Sequence, residues 1–98
     1  MDKEAFKKDV DNDFRELSSR IDRIRAAFDS IDESNRMQYE MEIENLLNKR
    51  EAARQAINEL ESAKDNWAYF RMEAEVAEQD LRLAVEDADN LLSKARPS

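Results

Sequence analysis

Apolar side chains recur along the first part of the chain at alternating intervals of four and three residues. This spacing places them on one face of an α-helix, and it is the a/d pattern of a coiled coil with no polar interruption. The pattern predicts a helix over residues 3–30. The residues concerned are Val10, Phe14, Leu17, Ile21, Ile24, Phe28 and Ile31.

The segment 29–35 interrupts this pattern. It is rich in Ser, Asp and Asn, whose side chains compete for backbone hydrogen bonds and therefore favour turns and helix caps. We expect the chain to reverse direction here.

A second apolar pattern runs from Tyr39 almost to the end of the chain. Every seventh residue along this segment is uncharged. These nine residues are Tyr39, Leu46, Ala53, Leu60, Trp67, Ala74, Leu81, Ala88 and Ala95. The apolar residues that accompany this position are first Ile43 and Ile57 and later Phe70, Ala77 and the residues that follow, which lie on the other side of it. The surface against which the stripe packs is therefore expected to change around residues 57–67.

Two all-α architectures fit these patterns, each as a single helical coiled-coil domain over 1–98. The favoured one is an antiparallel coiled-coil hairpin of a helix of about 30 residues and a helix of about 60 residues, which oligomerises into a helical bundle. Heptad phase that continues from Leu60 through Trp67 to Ala74 favours this model.

The alternative is a monomeric up-down-up three-helix bundle, with helices over about 3–30, 35–62 and 65–94. It requires a second turn at 62–66, where Ser62 and Asp65 are possible caps. The similar lengths of the three segments favour this model.

In the hairpin model the first helix is too short to cover the C-terminal half of the long helix. That half is therefore predicted to form a homodimer interface of Trp67, Phe70, Ala74, Ala77, Leu81, Ala84, Ala88 and Leu91. The predicted intrachain seam consists of Phe14, Leu17, Ile21, Ile24, Phe28, Leu46, Ile57 and Leu60.

Composition supports long helices and argues against site chemistry. The chain has no glycine, cysteine or histidine, and its only proline is Pro97, so turn formers and the common metal ligands and nucleophiles are missing. The acidic run Asp9–Asp13 begins like an EF-hand loop but has Phe14 in place of the required glycine and Arg20 in place of the final Glu. We therefore predict no metal, no cofactor and no enzymatic activity.

The formal net charge is −8, with no basic segment. Binding to nucleic acid or to an anionic membrane depends on Lys and Arg, so neither partner is expected. No apolar run approaches the roughly 20 residues of a membrane-spanning helix, and the charged N-terminal segment does not resemble a signal peptide. The expected location is cytoplasmic.

These observations predict a non-enzymatic structural or interaction protein that self-associates through its heptad seams. The alternative is a small acidic adaptor or inhibitor that binds another protein through an exposed helix face. Its contact residues would come either from its acidic face or from exposed members of the methionine and aromatic group, because Met adapts to varied partners and aromatic residues dominate interface energetics. That group is Met37, Tyr39, Met41, Trp67, Tyr69, Phe70 and Met72.

Overall fold

The computed structural model describes residues 3–30 and 36–95 of the chain. These residues form three α-helices, α1 (Lys3–Asp29), α2 (Arg36–Ser62) and α3 (Trp67–Ala95), with no strand among them. The all-α prediction is confirmed. The prediction of one helix of about 60 residues is wrong, because the chain leaves the helical conformation at residues 63–66.

The turn between α2 and α3 is short and depends on Asn66. This residue has φ of 54°, in the left-handed region that Asn tolerates better than most residues with a side chain. Its carbonyl oxygen accepts hydrogen bonds from the backbone N–H groups of Tyr69 (3.0 Å) and Phe70 (3.2 Å), so the next helix begins at once. Leu60 and Trp67 are seven residues apart in the sequence, so the heptad spacing continues across this turn as it would along an unbroken helix. The heptad phase therefore does not distinguish the turn from a continuous helix.

The first connection joins α1 to α2. The hydroxyl of Ser30 donates a hydrogen bond to the carbonyl oxygen of Ala26 at 3.2 Å, just after α1 ends at Asp29. The helix α2 begins at Arg36. Most of the predicted turn at 29–35 falls on residues 31–35, which lie outside the described residues.

The three helices run up, down and up. At the start of α1, the ring of Phe6 lies edge-on to that of Trp67 at the start of α3, with 5.6 Å between centroids. Towards the other end, Arg20 of α1 forms an ion pair with Asp89 of α3 at 2.6 Å, so these two helices are parallel. The Cα atoms extend over 50 × 21 × 15 Å, an elongated bundle.

All three helices contribute apolar side chains to the core between them. Alanines at several of these positions allow the helix axes to approach closely. Phe14 packs against both of the clusters that make up this core, which connects them along the bundle. The buried apolar residues are Phe6, Val10, Leu17, Ile21, Ile24 and Phe28 of α1, Tyr39, Leu46, Ala53, Ile57 and Leu60 of α2, and Ala74, Leu81, Ala84, Val85, Ala88 and Leu92 of α3.

Candidate interaction surface

The structure places the predicted intrachain seam in the core. Seven of its residues, Leu17, Ile21, Ile24, Phe28, Leu46, Ile57 and Leu60, are buried, and Phe14 is half-buried beside them.

The residues predicted to form an interface between copies also lie against the core of the single chain. Ala74, Leu81, Ala84 and Ala88 are buried, and Trp67, Phe70, Ala77 and Leu91 are half-buried and packed against the same core. Within one chain, α1 and α2 cover this seam, because the turn at 63–66 folds α3 back onto them. The four buried residues, Ala74, Leu81, Ala84 and Ala88, become available to a second copy only where α3 leaves its own bundle.

The methionine and aromatic group divides between the core and the surface. Tyr39 is buried and its ring stacks on that of Phe28, with centroids 4.8 Å apart. Trp67 and Phe70 are half-buried. The exposed members of the group are Met37, Met41, Tyr69 and Met72.

The helix α3 carries a second apolar stripe on its outer side. Tyr69, Met72, Val76 and Leu83 are each between 49% and 56% exposed. Their spacing of three, four and seven residues places them on one helix face, and 14 residues at about 1.5 Å each give the stripe a length of about 21 Å. Single exposed apolar residues are ordinary, but a row along one helix face is typical of a contact surface.

A shallow groove of about 290 Å³ runs between α2 and α3 beside this stripe. Its apolar lining comes from Ala52 and Ala56 of α2 and from Val76 and Ala77 of α3. Small side chains on the groove surface leave room for another helix to approach the backbone closely. Met41 lies eleven residues, about three turns, before Ala52 and so on the same side of α2.

The groove is predominantly acidic. Glu59, Glu73 and Asp80 line it, against one basic residue, Lys49. None of these three carboxylates forms an ion pair with a basic side chain within the described residues.

A fourth carboxylate, that of Glu42 on α2, has a pKa raised by partial burial and then by the charge of Asp87 on α3. The contact between α2 and α3 therefore carries an excess of negative charge.

A second carboxylate pair lies on the opposite side of α3, where it contacts α1. Glu78 is buried, and burial, followed by the neighbouring carboxylate of Asp13, raises its pKa to about 7. Arg82 opposes this shift and donates a hydrogen bond to Glu78 at 3.1 Å. This pair lies away from the groove between α2 and α3 and bears on stability.

A larger groove, of about 530 Å³, lies where α1 ends and α2 begins. Phe28, Tyr39, Ile43 and Leu47 contribute to its lining.

The described residues also bear on metal binding and on membrane insertion. Among residues 3–30 and 36–95, no three acidic side chains are grouped so that they could hold a metal ion. In the same part of the chain, no helix has the length and apolar character needed to span a bilayer.

The architecture defines the class of the protein as an up-down-up three-helix bundle with an acidic groove beside an apolar stripe. No protein-family model, curated protein or solved structure matches the chain.

Val76 and Leu83 are the surface residues that the sequence analysis missed. A pattern that would have revealed them is present, since they continue the spacing of Tyr69 and Met72 along α3. The stronger heptad of Leu81 and its neighbours masks this pattern, because it already accounts for the apolar content of the same segment.

Proposed function

We propose that this chain is a non-enzymatic interaction module that binds another protein through the exposed apolar stripe of α3. The observation that carries the proposal is the presence of two apolar faces on one helix. One face, with Leu81 and Ala88, packs inside the bundle, while Tyr69, Met72 and Val76 lie on the surface. Burial of such a row against a partner removes apolar area from water, which is the main favourable term in most protein association.

Site-specific photo-crosslinking tests the proposal directly. A photoreactive phenylalanine analogue is introduced at Val76, where the half-exposed side chain tolerates replacement, and at Glu16 on the exposed surface of α1 as a reference. Irradiation in an extract of the cells that make the chain is expected to give a discrete heavier adduct from position 76 but not from position 16. The absence of an adduct specific to position 76 contradicts the proposal.

A pair of aspartate variants tests whether the apolar stripe itself is used. Leu83→Asp is expected to reduce the adduct yield at least fivefold, because it places a charge on the apolar surface that the partner would remove from water. Met37→Asp makes a comparable change at a more exposed apolar residue outside the stripe and is expected to leave the yield unchanged. Equal yields from the two variants contradict a role for the stripe.

Self-association is a second candidate, because the heptad phase continues across the turn at 63–66 and would keep the apolar seam on one face if α2 and α3 joined. If that turn straightens, α2 and α3 become one helix, and two chains can exchange their α3 helices while reforming the same core contacts. Such an exchanged dimer has the two-helix architecture expected from the sequence. Light scattering over a range of concentrations tests it, since a constant mass of one chain contradicts self-association and a rise towards two chains supports it.

A further inference from the structure

We propose that the groove between α2 and α3 receives a basic amphipathic helix of the partner protein, an inference that rests on the function proposed above. The groove combines an alanine-lined surface, an adjacent apolar stripe and carboxylates without basic partners.

The shape of the groove suits a helix. Ala52 and Ala56 on one side and Ala77 on the other allow close approach, while Val76 and Leu83 provide larger apolar contacts. The stripe is about 21 Å long, which corresponds to about four turns of an opposing helix. A helix in this position presents its apolar residues at the i, i+3, i+4 and i+7 spacing by which amphipathic helices dock into grooves, and it completes a four-helix bundle.

The negative charge of the groove indicates that the residues beside the apolar face of the partner helix are basic. Glu59, Glu73 and Asp80 line the groove with no ion pair inside the described part of the chain. Lys and Arg beside the apolar stripe of a partner would neutralise them, which favours both correct orientation and fast encounter. A second copy of this chain in the same groove would bring identical acidic rims together, so like-charge repulsion disfavours that occupant.

The raised pKa of Glu42 is consistent with this electrostatic argument. Asp87 is one of its two causes, so carboxylates on α2 and α3 already repel each other across the contact between these helices. Glu42 and Asp87 lie one heptad beyond the groove residues Lys49 and Asp80, so the negative charge continues along the same contact.

Two synthetic peptides of about 18 residues, each titrated against the full chain, provide the test. Both carry leucine at the same heptad positions, and they differ only in flanking residues, which are lysine in one peptide and glutamate in the other. We expect the lysine peptide to bind at least about tenfold more tightly, and to lose several-fold in affinity between about 50 and 300 mM salt because charge attraction is screened. Fluorescence anisotropy of labelled peptides gives both dissociation constants.

A charge-reversed double variant locates the effect. Glu73→Lys with Asp80→Lys is expected to remove the preference for the lysine peptide. The control, Glu16→Lys with Glu44→Lys, changes the net charge equally at exposed residues outside the groove and is expected to change affinity less than twofold. Circular dichroism confirms that both double variants remain helical.

Equal binding of the two peptides, or an equal loss of preference in both double variants, overturns the inference. Failure of this inference about a basic partner helix is distinguishable from failure of the proposed function. If position 76 yields a specific adduct but the lysine peptide has no advantage, the chain binds a partner of other chemistry. If position 76 yields no adduct, the proposed function itself fails.

Discussion

Glu78 is the one buried charged side chain among the described residues, at 8% exposure, and it lies between α1 and α3. Burial first, and then the carboxylate of Asp13, raises its pKa from 4.5 to about 7, while Arg82 acts in the opposite direction. The folded protein therefore binds a proton at this carboxyl more tightly than the unfolded chain does. The stability that follows is fully present below about pH 4.5 and is lost as the pH rises through about 7.

Replacement of Glu78 by glutamine is expected to weaken this pH dependence. The amide stays neutral and still offers an oxygen to Arg82, so Glu78→Gln should be more stable than the wild type at pH 8, by about 1–2 kcal/mol, and similar to it at pH 4. Chemical denaturation at the two pH values measures the difference. Glu44→Gln, at an exposed carboxylate, serves as the control, and a pH dependence identical in Glu78→Gln and wild type contradicts the prediction.

At the level of helices, the sequence predicted α1 because its heptads are long and uninterrupted. On α3 the heptads included the buried residues Ala74, Leu81, Ala84 and Ala88 but missed Val85 and Leu92, which are also buried. The continuous heptad phase favoured one helix after residue 36, and this prediction is wrong. The turn at 63–66 contains neither glycine nor proline, and its formation depends on Asn66 adopting a positive φ, which is a property of the folded backbone.

The choice of inner face on α3 was only partly accessible from the sequence. Leu81 and Leu83 are two residues apart, yet Leu81 is fully buried and Leu83 is half-exposed. Leu81 belongs to the longer heptad, which identified it as a seam residue. The sequence assigned that seam to a second copy because it did not show that α1 and α2 together would cover it.

The conformation of Asn66 leads to a prediction for the α2–α3 turn. Alanine at a left-handed position costs about 1 kcal/mol or more, and it favours a continuous helix, so Asn66→Ala should shift the chain towards the dimer with exchanged α3 helices. An exchanged dimer straightens two such turns, so the substitution favours dimerisation by about 2 kcal/mol. This free energy corresponds to a dimerisation constant raised about thirtyfold. Sedimentation equilibrium measures this constant.

Asn66→Gly is the matched control for that experiment. Glycine adopts positive φ without the steric cost of a Cβ atom, so this variant should retain the turn and dimerise no more than the wild type. Dimerisation that is the same in the alanine and glycine variants would show that the turn does not control exchange.

For the whole molecule, the two architectures differ most in length. The folded bundle has a longest Cα extent of 50 Å and a Cα radius of gyration of 15.6 Å. A continuous helix of about 60 residues is about 90 Å long. Small-angle X-ray scattering of a dilute wild-type sample is expected to give a radius of gyration close to 15.6 Å, and a maximum dimension near 90 Å contradicts the three-helix bundle.

The position of Trp67 has a consequence for observing the bundle in solution. It is the only tryptophan of the chain, and it lies edge-on to Phe6, with the charged groups of Lys3 and Arg71 within 5.6 Å and 5.5 Å of its ring centre. Its emission therefore depends on whether the starts of α1 and α3 remain together. Tryptophan fluorescence will report fraying at this end of the bundle while the far end, where Phe28 stacks on Tyr39, remains closed and total helicity changes little.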